Sequence, residues 1–121
     1  MKAHAWDEVG CIVSEFDVPD EILHRSDPKK TMILLDYEIM EQIGEQDGKA
    51  TFFRTGKFKS GNFKSVLFGI GRFGRDKLVI YTIGKKSKEL LWKFDEWYCE
   101  KCEDDTPTNE EIIDYFKPIG E

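Results

Sequence analysis

Cys99 and Cys102 stand three positions apart, the spacing of half a zinc site or of a dithiol redox pair. Zinc needs two further ligands, and the other cysteine and histidine positions are Cys11, His4 and His24, none of them in a second paired motif. A redox pair gains from a helix N-terminus, whose dipole favours the thiolate. Cys99 and Cys102 instead close a helical stripe, with Glu100 and Glu103 adding negative charge beside them. The reading is reduced, inert thiols and no metal, Cys99 and Cys102 being the weak candidates. His4 and His24 have no serine, cysteine or paired carboxylate beside them, so they read as surface or capping histidines and not as general bases.

Gly69-Ile70-Gly71-Arg72-Phe73-Gly74 carries the letters of a dinucleotide-binding fingerprint. That chemistry requires a strand before the glycines and a helix N-terminus after them, so that the dipole meets the pyrophosphate. Here a strand follows, and no ribose-binding acid stands at the required distance. The glycines are read as relief of crowding or a bulge at a hairpin end, and no cofactor is expected.

The strongest chemical signal is charge. Residues 1–48 carry four Lys/Arg against twelve Asp/Glu, residues 49–93 twelve against two, and residues 94–121 two against ten, so a net of −6 hides a basic middle. Arg54, Lys57, Lys59, Lys64, Lys85 and Lys86 are interleaved there with Phe52, Phe53, Phe58, Phe63, Phe68, Phe73 and Tyr81. Cations hold phosphates and aromatic faces stack bases at ~1–3 kcal/mol each. The competing reading makes the aromatics core and the lysines the solvated side of the same strands.

These residues need elements to hold them. The chain has 121 residues, 40% hydrophobic and 35% charged, enough for one globular core. No aliphatic run is longer than the three residues of Ile33-Leu34-Leu35, so no membrane span is expected, and three cysteines without a leader-like apolar stretch suit a reducing cytoplasm. Asp27-Pro28 is a helix start, and Met32, Leu35, Ile39, Met40 and Ile43 predict a helix over 28–44. The alternation of Ile33, Leu35, Tyr37 and Ile39 keeps a strand at 31–39 as an alternative. Pro19–Leu23 reads as a helical turn and Gly10–Phe16 as a weak strand. Asp47-Gly48, Lys59-Ser60-Gly61-Asn62 and Arg72–Asp76 read as turns.

Three β-like segments between Ala50 and Gly84 predict an antiparallel three-stranded meander. Leu90, Leu91, Phe94, Trp97 and Tyr98 predict a helix over 88–102. Thr108 and Glu111 form a capping box for a helix over 109–116, stopped by Pro118. The expected fold is a single α+β domain over 1–121, with helices on one face of the meander and an acidic segment over 103–121.

Ala50-Thr51-Phe52-Phe53-Arg54, Asn62–Phe68 and Asp76–Lys88 together resemble the three strands and basic end of the phage-derived branch of the RelE/HigB toxin superfamily. The resemblance covers residues 27–88 and implies a small ribonuclease, metal-independent, with helix, linker and meander in that order. It implies that Arg54, Lys64, Lys85 and Lys86 hold the RNA backbone and stabilise the charge built up when a 2′-hydroxyl attacks phosphorus. Lys64 stands where the family usually has Arg. The family is mostly basic, whereas this chain is acidic and ends in a longer acidic segment.

Two functions are therefore expected to compete. One is a protein-binding inhibitor of the immunity or host-takeover kind, holding one protein partner through aromatic anchors and steering charge. The other is a nucleic-acid-binding protein or ribonuclease using Arg54, Lys57, Lys59, Lys64, Lys85 and Lys86. Exposure of these cations distinguishes them: lysines covered by acidic helices favour the inhibitor, and one open patch favours nucleic acid.

Overall fold

The computed structural model describes residues 1–8, 12–24, 27–47, 50–74 and 77–116. Strands β1 (Lys2–Asp7) and β2 (Ile12–Asp17) precede a short helix α1 (Asp20–Leu23) and the long helix α2 (Pro28–Asp47). Then come β3 (Ala50–Lys57), β4 (Leu67–Phe73), β5 (Lys77–Ile83), α3 (Ser87–Asp104) and α4 (Asn109–Tyr115). The turn positions Gly48, Arg75 and Asp76, the metal candidate Cys11 and the stop residue Pro118 lie outside the described residues, as do Val9, Gly10 and the rest of 117–121.

The helix starts follow from their caps. Asp27 Oδ1 accepts from the backbone N–H of Lys29 at 3.0 Å, satisfying a donor that the first helical turn leaves open. Thr108 Oγ1 accepts from the Glu111 N–H at 3.3 Å while Glu111 Oε1 accepts from the Thr108 N–H, the expected capping box. In α2 the rival periodicities are resolved. A strand would put Ile33, Leu35, Tyr37 and Ile39 on one face, but Leu35 and Ile39 are fully buried while Ile33 and Tyr37 are exposed.

The sheet corrects the expected three-stranded meander. β3, β4 and β5 do form one, but β1 pairs antiparallel with β5 and β2 with β1, giving five strands in the order β2-β1-β5-β4-β3. β1 is hard to read because its residues toward α2 include Ala3 and Ala5, small side chains of low strand preference. Its other face carries Trp6, fully buried, edge-on to Phe94 and Tyr98 at 4.9 Å each and donating Nε1–H to Asp95 at 2.7 Å.

The helices also correct the one-sided packing expected. Tyr81 and Ile83 of β5 pack with Leu35 and Ile39 of α2. Leu78 and Ile80, on the opposite face of the same strand, pack with Leu90, Leu91 and Phe94 of α3 and with Ile112 and Phe116 around α4. The sheet therefore lies between two helical layers. That explains why 78–83 is almost continuously apolar where a half-exposed strand would alternate.

Candidate nucleic-acid interface

Register brings the lysines together. Lys57 stands opposite Leu67, and Leu67 opposite Ile83, so the chain leaving β3 and the chain leaving β5 emerge at one end of the sheet. The β3–β4 connection is no tight turn but an excursion over 58–66 that contains a 3-10 turn at Gly61–Phe63. It is closed by Phe58 N–H donating to the Val66 carbonyl at 2.7 Å and Val66 N–H to the Phe63 carbonyl at 3.1 Å. Gly84, at φ 149°, lets the next turn pass beside it, since a Cβ there would stand 3.2 Å from Val66 Cα.

Lys57, Lys59, Lys64, Lys85 and Lys88 are exposed on these two segments and the first turn of α3. None of them makes an ion pair with another described residue. Lys86 reaches Glu89 Oε2 at 3.9 Å. Among the described residues no acidic side chain covers these five exposed lysines. Beside it lies an open groove of ≈ 750 Å³, walled by Ser60–Phe63 of the excursion, Lys93, Trp97 and Lys101 of α3, and Glu111, Asp114 and Tyr115 of α4. Lys93 Nζ lies 5.4 Å above the Phe63 ring centroid, a contact that holds the excursion against α3. Trp97 and Tyr115 lie tilted against each other at 5.0 Å.

Arg54 stands apart from this set. It is opposite Ile70, whose side chain enters the α3–α4 core, whereas Lys57 is opposite Leu67, which packs on the α2 side. Of the four residues that the toxin resemblance would join, Lys64, Lys85 and Lys86 lie in the connections at one end of the sheet, and Arg54 is half-buried within β3, three residues before that end.

Two further clusters have chemistry that the sequence hides. His4 is buried, contrary to the surface reading: its Nδ1 lies 2.6 Å from Ser87 Oγ and its Nε2 3.1 Å from Glu15 Oε2. The trio resembles a nucleophile, base and acid, but Ser87 is 1% exposed, so its hydroxyl meets no substrate; the chain of contacts pins β1 and β2 to the start of α3. The hydrogen bond from His4 also holds the Glu15 carboxyl below its usual range. On the other face Tyr81 donates its hydroxyl to Asp36 Oδ1 at 2.6 Å. Burial pushes the Asp36 carboxyl up to about 6, against the lowering effect of that bond, and burial also raises the Tyr81 phenol.

Of the fingerprint glycines, Gly69 and Gly71 serve packing and Gly74, at φ 67°, serves the turn. At Gly69 a Cβ would run into the Tyr81 ring, which stacks edge-on to Phe52 at 5.1 Å. Cys99 and Cys102 are exposed free thiols on α3, and His24 is exposed elsewhere. Among the described residues no group of three or more His, Cys, Asp or Glu is placed to hold a metal ion. No helix among them is long and apolar enough to cross a membrane.

Comparison with protein-family models, with characterised proteins and with solved structures gives no match.

Proposed function

We propose that this domain binds single-stranded nucleic acid along the groove and lysine end just described. The observation that carries the reading is the set of Lys59, Lys64, Lys85 and Lys88, exposed and unpaired among the described residues at the end of the sheet beside the groove. Exposed lysines neutralise phosphates, and Phe63, Trp97 and Tyr115 offer ring surface for bases. The groove volume lies within the usual ~300–1,000 Å³ of small-ligand sites, room for one or two bases at a time. The acidic remainder of the chain opposes a polyanion at long range, so the complex is weak and local rather than steered from a distance.

The test is a binding titration of an end-labelled single-stranded RNA of about 12 nucleotides at ~50 mM salt. The reading expects Lys59→Glu with Lys64→Glu to weaken binding at least tenfold, and Trp97 emission to change on binding to the unsubstituted chain. Equal binding by the double variant would contradict it. The same labelled strand, run on a gel afterwards, reports whether the RNA is cut, as the toxin resemblance implies.

A second reading is the protein-binding inhibitor. Its support is the exposed acidic surface of Glu96, Glu100, Glu103, Asp104, Asp105 and Glu110, which suits a basic protein partner. Failure of the RNA titration at low salt would leave that reading in possession of the field.

A further inference from the structure

The outer side of α2 carries two large apolar side chains that the fold does not use. Ile33 is 65% exposed and Tyr37 60%, one helical turn apart on the side facing away from the sheet. Lys30 and Glu41 flank them on the same side, one turn before Ile33 and one turn after Tyr37, and both are exposed. Beyond the capping carboxylate of Asp27, no acidic residue stands in the first turn of α2 and no basic residue in its last. Lys29 and Lys30 thus sit at the positive end of the helix, while Glu38 and Glu41 lie toward the negative end.

We infer that α2 is the contact surface of a homodimer, with a second copy of the same helix packed antiparallel across a two-fold axis near residues 35–36. An isologous contact must be self-complementary, and this stripe is. Turned end for end, Lys30 of one copy meets Glu41 of the other twice, while the two Ile33–Tyr37 pairs interleave between them. The antiparallel helix also sets Glu38 and Glu41 of one copy toward Lys29 and Lys30 of the other. A helix of 20 residues is about 30 Å long, so the contact falls below the ~1,200 Å² of a standard interface and the dimer is weak, dissociating at roughly 10–500 μM. Because α2 lies on the sheet face opposite α3 and α4, the dimer leaves both grooves open, and it stands or falls independently of nucleic-acid binding.

Sedimentation of the full chain over that concentration range tests the inference with exposed substitutions that leave the core intact. The unsubstituted chain should shift from monomer to dimer as concentration rises. Ile33→Ser with Tyr37→Ser should remove the shift. Lys30→Glu alone and Glu41→Lys alone should each weaken self-association roughly tenfold, since each turns two attractions into repulsions. An equimolar mixture of those two variants, and the chain carrying both changes, should recover it. A chain that stays monomeric up to ~500 μM, or association that charge reversal does not weaken and mixing does not recover, would overturn the inference. In either case the stripe passes to a different protein partner.

Discussion

His4 Nδ1 and Ser87 Oγ lie 2.6 Å apart although 83 positions separate them in the chain. The contact ties the first strand to the start of α3, at the end of the sheet where the lysines gather. Replacing His4 with alanine leaves the Ser87 hydroxyl buried without that partner, and Thr82 Oγ–H already donates to the Ser87 carbonyl at 3.0 Å rather than to the hydroxyl. A loss of about 1–3 kcal/mol in folding stability is expected, measured by urea denaturation. Unchanged stability would mean the contact holds nothing. Ester hydrolysis abolished by Ser87→Ala would mean that the trio is catalytic after all.

Asp36 gives the fold a pH dependence of unusual sign. Its carboxyl is raised to about 6 in the folded chain, above its ordinary 3.8, so the folded state binds the proton more readily than the unfolded state. This group therefore adds stability as pH falls from about 7 toward 4 and withdraws it as pH rises through about 6. The exposed Glu15 and Asp20 carboxyls are lowered and act in the opposite sense, at more acidic pH. Asp36→Asn keeps an acceptor for Tyr81 and removes the buried charge. Thermal melts from pH 4.5 to 8 should show the variant a few degrees more stable at the alkaline end and no more stable at the acid end. A variant less stable at pH 8 would contradict this.

Gly69→Ala should destabilise by about 1–3 kcal/mol or more, because the added methyl meets a Tyr81 ring held on one side by Phe52 and at its hydroxyl by Asp36. Thermal unfolding reads it, and an unchanged midpoint would show that the ring has room to move.

Much of the fold is legible in the sequence, for identifiable reasons. α2, α3 and α4 announce themselves through Asp27-Pro28, the Leu90–Tyr98 stripe and the Thr108/Glu111 box, all of them local signals. β1 is hidden because Ala3 and Ala5 are small and its partner strand, β5, is over seventy residues away. The two-sided burial of the sheet is written in the run Leu78–Ile83, apolar but for Thr82, a pattern that one-sided packing would not produce. The lysine tract is visible as composition, but its geometry is not. Only the register of Lys57, Leu67 and Ile83 gathers Lys59, Lys64 and Lys85 at one end and leaves Arg54 outside. The contacts of His4 and Asp36 are wholly tertiary, and no neighbouring residue signals them.

The most direct measurement of the central claim is the salt dependence of single-stranded RNA binding. Each phosphate held by a lysine contributes a slope of roughly −0.7 in log affinity against log salt. If four of the lysines at the sheet end and groove engage the strand, the slope is about −3, and Lys59→Ala with Lys64→Ala brings it to about −1.5. That double variant should unfold within ~0.5 kcal/mol of the unsubstituted chain, since both side chains are exposed. No binding at ~50 mM salt, or a slope that the double variant leaves unchanged, would contradict the account.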